Sequence, residues 1–439
     1  MQNLSGFPYF EVQFTKDGDV FQDAAVADGL QTIADAAPTD LIVVSHGWNN
    51  DMADARALYV RFFQCIRAML ASSGPANATR KFAVMGVLWP SKKFADQDLV
   101  AGGAASAGSV VSETVVKEHL DDLKAVFDDP ASSATIEQAK ALVGRLDDGP
   151  AARTEFTDLI RSLLHRNSAD DEDASGSFFG LPGEEVMQRL SKPVMPAPPT
   201  SGSSHAATSL GGNAVGSAAG LGQFFSGIKS AALNLANLAT YYTMKDRAGK
   251  VGFGGLFDTL QRIRVASPTI KLHLVGHSFG GRVVTAASTG PSGNTPLNIE
   301  SLTLLQTAYS HYGLAQNYEA GKDGFFRRMI TARNVSGPIV ISCTKNDQAV
   351  GKAYPLASLI AGQVAAALGD KNDRYGGLGR NGAQKTPEAH DGTLLPVGQV
   401  YAFTGGAIYN LNADAFIMGH SDICKNEVAQ AMLASIATT

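Results

Sequence analysis

Short apolar runs without polar alternation recur along the chain and limit its possible folds more than any other feature. They occupy residues 41–45, 82–89, 270–275, 302–305, 339–343 and 400–403, and residues 9–15 alternate weakly. A strand that is apolar on both sides is buried on both faces, which is typical of a parallel sheet covered by helices. Helical patterns lie between the runs, so the sequence predicts an α/β protein with a mostly parallel central sheet flanked by helices.

The clearest helical pattern follows the run at 41–45. Asn50 and Asp51 precede it as candidate N-caps, since short polar side chains accept hydrogen bonds from the first free backbone N–H groups of a helix. One apolar stripe follows, formed by Tyr59, Phe62, Phe63, Ile66, Met69 and Leu70. A strand followed by an amphipathic helix is the repeating unit of the predicted fold.

The segment 96–242 interrupts the alternation of strands and helices. It is acidic in its first half, has helical spacing at 116–127, 156–164 and 225–242, and is rich in Pro, Gly and Ser over 192–222. Such a composition predicts a flexible stretch. We therefore expect an α/β core formed by residues 1–95 and 243–439 and a large helical insertion over 96–242. This insertion is either a lid (or cap) over an active site or a passive subdomain.

Ser278 lies between Gly276 and Gly280 in "KLHLVGHSFGGRVV". An apolar run precedes it and a helical pattern follows. A Gly-x-Ser-x-Gly turn in this setting exposes the serine hydroxyl, and its glycines avoid collisions in a tight turn. The alternative is a plain turn that happens to contain a serine. The strand before and the helix after favour a nucleophile.

A serine nucleophile needs a base, and the base needs a carboxylate to hold its tautomer. In a strand–turn–helix site of this kind the chain order is Ser, acid, His. His420 follows the run at 400–403, whereas His311 comes one strand too early and His390 lies in a Gly-rich stretch typical of a surface loop. The sequence therefore predicts His420 as the base.

The predicted acid is Asp347, which follows the apolar run in "GPIVISCTKNDQAV". An Asp in this position is also a common turn former. Asp391 and Asp422 are the alternatives. Asp422 lies two residues from His420 and is poorly placed to orient its ring from behind.

The oxyanion formed during acyl transfer needs backbone N–H donors. We expect one donor from Phe279, at the start of the helix after Ser278, and one from Trp48 in "SHGWNN". Gly47 lets the backbone approach a substrate, although a plain strand-exit turn is the alternative. The expected supporting residues are His46, Gly47, Gly276, His277 and Gly280.

The remaining features limit cofactors, partners and location. The net charge of −5 gives no basic surface for nucleic acid. His273 and His277 are four residues apart in a strand and its turn, and the few cysteines are widely spaced, so neither a metal site nor a cofactor is predicted. There is no signal-peptide pattern and no run of about 18 apolar residues. We expect a cytoplasmic protein without a transmembrane segment, with leaderless secretion left open.

These motifs resemble those of the α/β-hydrolase superfamily. "GHSFGG" resembles its nucleophile elbow, "SHGW" its oxyanion strand end, and "TKND" and "GHSD" its acid and histidine loops. "VLWPS" at 87–91 is similar to little-characterised bacterial serine hydrolases of this superfamily. The resemblance covers 41–89 and 270–424, with the insertion where lids often enter. It implies an eight-stranded, mostly parallel sheet and acyl-enzyme chemistry on esters, thioesters or amides.

The expected activity is therefore that of a carboxylesterase or lipase acting on small-molecule or lipid esters. Ser278, His420 and Asp347 would form the catalytic triad. An acyltransferase or a peptidase would use the same triad, and a non-enzymatic interaction protein is the remaining alternative. The helix predicted at 225–242 would either line an acyl pocket or pack in the core.

Overall fold

A central sheet organises the computed structural model, which describes residues 2–48, 50–72, 75–91, 111–165, 172–192, 227–347, 349–350, 360 and 371–439. Within these ranges the sheet has nine strands in the order β1-β2-β4-β3-β5-β6-β7-β9-β8. β1 is antiparallel to β2, and all other neighbours are parallel. The strands are β1 Gln2–Leu4, β2 Phe7–Gln13, β3 Asp40–Ser45, β4 Phe82–Leu88, β5 Lys271–His277, β6 Ser301–Leu305, β7 Ile339–Cys343, β8 Ala389–Thr393 and β9 Ile408–Asn412.

Helices cover both faces of this sheet. They are α1 Asp23–Ala36, α2 Met52–Ser72, α3 Pro75–Ala78, α4 Glu113–Phe127, α5 Pro130–Leu142, α6 Pro150–Ser162, α7 Ser175–Gly180, α8 Gly183–Leu190, α9 Ile228–Val251, α10 Phe257–Ala266, α11 Phe279–Thr289, α12 Arg327–Thr331, α13 Leu378–Asn381 and α14 Asn426–Ala437. A π-helical segment, Gly252–Leu256, joins α9 to α10. The predicted α/β class with a mostly parallel sheet is confirmed, with nine strands where the resemblance implied eight.

The apolar runs are continuous because successive residues of a strand face opposite, equally buried sides of the sheet. In β3, Leu41 and Val43 join the core under α1, α4, α9 and α11. Ile42 and Val44 join the core under α2 and α14. None of these four side chains is more than 5% exposed. Each face of the sheet therefore has its own apolar core.

The prediction of a strand at 400–403 is wrong. Val400 is 89% exposed in a loop, and the strand that pairs with β7 is β9. The sequence of β9 is not an apolar run, because it contains Asn410. The side chain of Asn410 is satisfied by the backbone of Ala383, to whose O it donates (3.1 Å) and from whose N–H it accepts (2.8 Å). A buried polar group paired in this way costs little in a strand.

A second correction concerns His390, which was expected in a surface loop. It lies on β8, the edge strand beside β9. Most residues of β8 are exposed to solvent. The strand therefore has no apolar run, and such a run is the sequence pattern that predicts a strand. An edge strand with polar side chains is a common way to limit unwanted pairing with other chains.

The predicted insertion contains the helices α4 to α8 and the first part of α9. The helical spacing at 116–127 and 156–164 falls on α4 and α6. α9 continues through residue 242, where the insertion was expected to end, and packs against α8 and α11. The Pro/Gly/Ser-rich stretch 192–222 lies outside the described residues except for Lys192. The division into core and insertion, and the lid, therefore stay predictions.

None of the helices in the described ranges is both long enough and apolar enough to cross a membrane.

Candidate active site

Ser278 occupies the sharp turn between β5 and α11. Its backbone has φ 57° and ψ −125°, a conformation that L-residues adopt only when their surroundings enforce it. The Ser278 N–H donates to Leu305 O (3.0 Å), and its carbonyl accepts from Gly281 N (3.0 Å) and Ala308 N (3.1 Å). Contacts with the end of β6 therefore hold the strained turn, which presents the hydroxyl at the carboxyl edge of the sheet.

Two glycines make this turn possible. A Cβ added to Gly276 would lie 2.4 Å from Gly280 O. A Cβ added to Gly280 would lie 2.2 Å from Ser45 O and 2.4 Å from His46 O. Each distance is well below van der Waals contact with backbone atoms. The close packing of α11 against β3 and β5 therefore requires glycine at both positions.

We expect Gly280→Ala to destabilise the protein by roughly 3 kcal/mol or more, because the added methyl group forces backbone apart. The matched control is Gly249→Ala in α9, where the nearest atom, Arg282 Nη2, lies 3.7 Å from the added Cβ. This control should be neutral or stabilising by up to about 1 kcal/mol. Urea unfolding measures both changes, and equal stability of the two variants would refute the packing account.

Ser278, His420 and Asp347 lie in one hydrogen-bonded chain. His420 Nε2 is 2.8 Å from Ser278 Oγ, and His420 Nδ1 is 2.8 Å from Asp347 Oδ2. Because a carboxylate only accepts hydrogen bonds, Nδ1 carries the proton and Nε2 is left to accept the serine proton. The structure thus brings together the three residues predicted from chain order, carried by the segments after β5, β7 and β9.

The carboxylate of Asp347 is fully buried. Its Oδ2 faces His420, and its Oδ1 accepts from Val350 N (2.9 Å). A buried carboxylate is stable only when its oxygens accept hydrogen bonds. The Val350 amide was not predicted from the sequence, because a backbone donor leaves no signature in residue type.

The rival acids have other partners. Asp391 accepts from Asn410 Nδ2 (3.0 Å), and Asp422 accepts from Met418 N (3.1 Å). The hydrogen bonds found for these two carboxylates among the described residues do not include His420. The structure therefore places Asp347 alone of the three candidates behind the ring of His420.

The rival histidines lie elsewhere. His311 is fully buried and its Nδ1 accepts from Asn381 Nδ2 (3.2 Å). The ring of His390 lies against Tyr409, with 5.7 Å between the ring centroids. Of the histidines weighed as base, only His420 contacts Ser278 Oγ in the described part of the chain.

His277, the residue before Ser278, anchors the loop that carries His420. Its Nε2–H donates to the backbone O of His420 (2.8 Å), and the two ring centroids are 4.9 Å apart. Burial, followed by the charge of nearby His420, lowers the pKa of His277 to about 3. A ring that stays neutral at physiological pH keeps this donor in place without adding a charge beside His420.

The loop after β3 lies directly against Ser278. A Cβ added to Gly47 would lie 2.5 Å from Ser278 Cβ. The Trp48 ring packs edge-on against Phe279, with 6.1 Å between ring centroids. The backbone N–H groups of Trp48 and Phe279 donate to no described residue. The two predicted oxyanion donors thus lie on the two segments that border Ser278.

The aromatic contacts of Phe279 extend to two tyrosines of α9. Tyr241 lies 5.4 Å from Phe279 and 5.4 Å from Tyr242 between ring centroids. Both tyrosines are at most 8% exposed. Of the two roles expected for the helix at 225–242, the described part, which begins at Ile228, shows core packing beside the site.

Buried neutral histidines predict acid sensitivity of the fold. Burial lowers the pKa of His46 to about 4 and that of His277 and His311 to about 3. Because the unfolded value is about 6.5, their stabilising effect is complete above that pH and declines as the pH falls toward the folded values. At pH 5 we expect a loss of up to about 2 kcal/mol for each histidine.

Urea unfolding at pH 7.5 and pH 5 measures this loss. The variant His311→Gln, which removes one titrating ring whose Nδ1 bonds to Asn381 Nδ2, should show a smaller difference between the two pH values. An unfolding free energy that is the same at both pH values would contradict the account.

Comparison with models of protein families, with curated proteins and with solved structures finds no match. Among the described residues, no group of three or more His, Cys, Asp or Glu side chains is arranged to hold a metal ion. The α/β class of the fold and the geometry around Ser278 are therefore the basis for a functional proposal.

Proposed function

We propose that the protein is a serine hydrolase of the α/β-hydrolase type that cleaves carboxylic esters, as a carboxylesterase or lipase. The observation that carries this proposal is the chain Ser278 Oγ–His420–Asp347, with 2.8 Å at both hydrogen bonds. The strained conformation of Ser278 between a strand and a helix supports it further, because such a turn aims the hydroxyl at a substrate.

In the first half of the proposed reaction, His420 Nε2 removes the proton of Ser278 Oγ as this oxygen attacks the ester carbonyl carbon. The resulting oxyanion accepts hydrogen bonds from the Trp48 and Phe279 amides. The tetrahedral intermediate then breaks its bond to the leaving alcohol oxygen, which takes the proton from His420. Asp347 holds the ring in the productive tautomer and stabilises the imidazolium. The product is an acyl-enzyme on Ser278.

In the second half, water replaces the alcohol. His420 removes a proton from the water molecule as its oxygen attacks the acyl carbonyl, and the same two amides bind the second oxyanion. The bond to Ser278 Oγ breaks, His420 returns the proton to this oxygen, and the carboxylic acid leaves. The protein groups that act in these steps are the side chains of Ser278, His420 and Asp347 and the two backbone amides.

Hydrolysis of p-nitrophenyl acetate, butyrate and decanoate by the full chain tests the proposal. Competing alcohols and amines in the same assay separate hydrolysis from acyl transfer, and a peptide panel tests for a peptidase. Ser162→Ala, which removes an exposed hydroxyl bonded to Leu159 O, is the matched control. Absence of turnover on every ester would count against the proposal, and absence of turnover on the peptides as well would favour a non-enzymatic interaction protein.

A further inference from the structure

The carbonyl of Gly47 is held by an unusual number of donors. It accepts from Ser91 Oγ (2.9 Å), from His46 Nδ1 (3.0 Å) and from Asn50 Nδ2 (3.3 Å). Ser91, the last residue of "VLWPS", lies three residues beyond the end of β4 and is 1% exposed, and His46 is fully buried. A carbonyl oxygen has two lone pairs, so one or two donors are enough to compensate for its burial. Three donors also fix the direction in which the carbonyl points.

The direction of the Gly47 carbonyl fixes the direction of the Trp48 N–H. Both belong to one planar peptide group, and in a trans peptide the C=O and the N–H point in opposite directions. The donors of Ser91, His46 and Asn50 therefore orient the Trp48 N–H away from themselves. On the Gly47 side this peptide is in close contact with Ser278, since an added Cβ at Gly47 would lie 2.5 Å from Ser278 Cβ.

His46 is fixed in the tautomer that this role needs. The backbone N–H of Trp89 donates to His46 Nε2 (3.2 Å), so the proton is on Nδ1, which donates to Gly47 O. The indole Nε1–H of Trp89 donates to His46 O (3.0 Å), and the two rings stack with 5.7 Å between centroids. Trp89 therefore sets both the position and the protonation of His46.

Ser91 also links Gly47 to Asn50 in the same loop. Its single O–H is shared between two carbonyl acceptors, Gly47 O and Asn50 O, each 2.9 Å from Ser91 Oγ. The side chain of Asn50, in turn, donates to Gly47 O and to Trp48 O (3.2 Å). Asn50 therefore braces the loop, while Asp51 caps α2 by accepting from Ala53 N and Asp54 N, both at 2.8 Å.

We propose that Ser91 is a positioning residue that, with His46, holds the Gly47–Trp48 peptide with its N–H toward the oxyanion. This inference rests on the proposed function. Rotation of this peptide would replace an oxyanion donor by a carbonyl oxygen, which repels negative charge. The contact of Ser91 is with the carbonyl rather than with substrate, so its effect falls on the transition state and not on substrate binding.

Kinetics of Ser91→Ala and Ser91→Thr on the best p-nitrophenyl ester test the inference. Ser91→Ala is expected to lower kcat by roughly 10- to 100-fold with KM nearly unchanged, less than the loss of an oxyanion donor itself. Ser91→Thr keeps the hydroxyl and should recover most of kcat. The affinity for a trifluoromethyl ketone, which forms an oxyanion adduct with serine, should fall in parallel with kcat.

The outcomes separate the two proposals. If the wild-type protein lacks esterase activity, the proposed function fails. If the wild-type protein is active and Ser91→Ala matches it in kcat and in ketone affinity, only the positioning role fails, as it does if KM and kcat change together. Should Ser91→Ala not fold, Ser91→Cys, a weak donor of similar size, replaces it and must show a lower kcat than Ser91→Thr.

Discussion

Replacement of Ser278 by Ala is expected to lower kcat for ester hydrolysis by about 10⁴-fold or more. The reason is that the substitution removes the only oxygen within hydrogen-bonding distance of His420 Nε2 among the described residues (2.8 Å). The fold should be unaffected, because Ala and Ser have similar strain at φ 57° and the backbone contacts of the turn do not involve the hydroxyl. Steady-state kinetics and urea unfolding measure the two effects.

The control for this experiment is Ser162→Ala, which should leave kcat unchanged. Near-wild-type hydrolysis by Ser278→Ala, with an intact fold, would mean that another group attacks the ester. A large loss of stability in Ser278→Ala would mean that the hydroxyl has a structural role.

Asp347→Asn is expected to lower kcat by on the order of 10⁴-fold. The amide that replaces the carboxylate can present its NH₂ group to His420 Nδ1, which favours the tautomer with the proton on Nε2. A protonated Nε2 cannot accept the proton of Ser278 Oγ, so the base is lost while the geometry is kept. The remaining oxygen of the new side chain can still accept from Val350 N, which limits the structural change.

Asp391→Asn and Asp422→Asn are the matched controls for this substitution. Their carboxylates bond to Asn410 Nδ2 and to Met418 N, so both variants should retain kcat close to that of the wild type. A severe loss in Asp391→Asn together with a mild one in Asp347→Asn would overturn the assignment of the acid.

The α/β class was predictable because most strands of the sheet are buried on both faces and so have apolar runs. The strand β9 was not, since the polar side chain of Asn410 is satisfied by the backbone of Ala383, far from it in sequence. The false strand at 400–403 has a physical cause as well. Tyr401 and Phe403 stack with 4.7 Å between ring centroids, so their aromatic character serves the packing of a loop.

The candidate site also has some features that the sequence predicted and others that it did not. Chain order and local motifs were enough to select Ser278 and Asp347, because each lies just after a strand with an apolar run. His420 was selected by chain order and its local motif although the strand assigned before it was wrong, because the segment after β9 carries it to the same edge of the sheet. The bond from His277 to His420 O and the donors on Gly47 O were not predictable. They join backbone atoms of segments distant in sequence, and backbone contacts have no fixed residue signature. The motif "VLWPS" was visible, but the role of Ser91 depends on the neighbouring loop.

The reactivity of Ser278 toward a fluorophosphonate is the most direct test, because this reagent modifies a serine only when a base activates it. The folded wild-type protein is treated with the probe, digested and examined by mass spectrometry. We predict a single phosphonyl adduct on the peptide that contains Ser278, absent from Ser278→Ala and formed far more slowly in Asp347→Asn. Absence of any adduct on the folded wild-type protein, or an adduct on a different serine, would contradict the assignment of a catalytic triad to Ser278, His420 and Asp347.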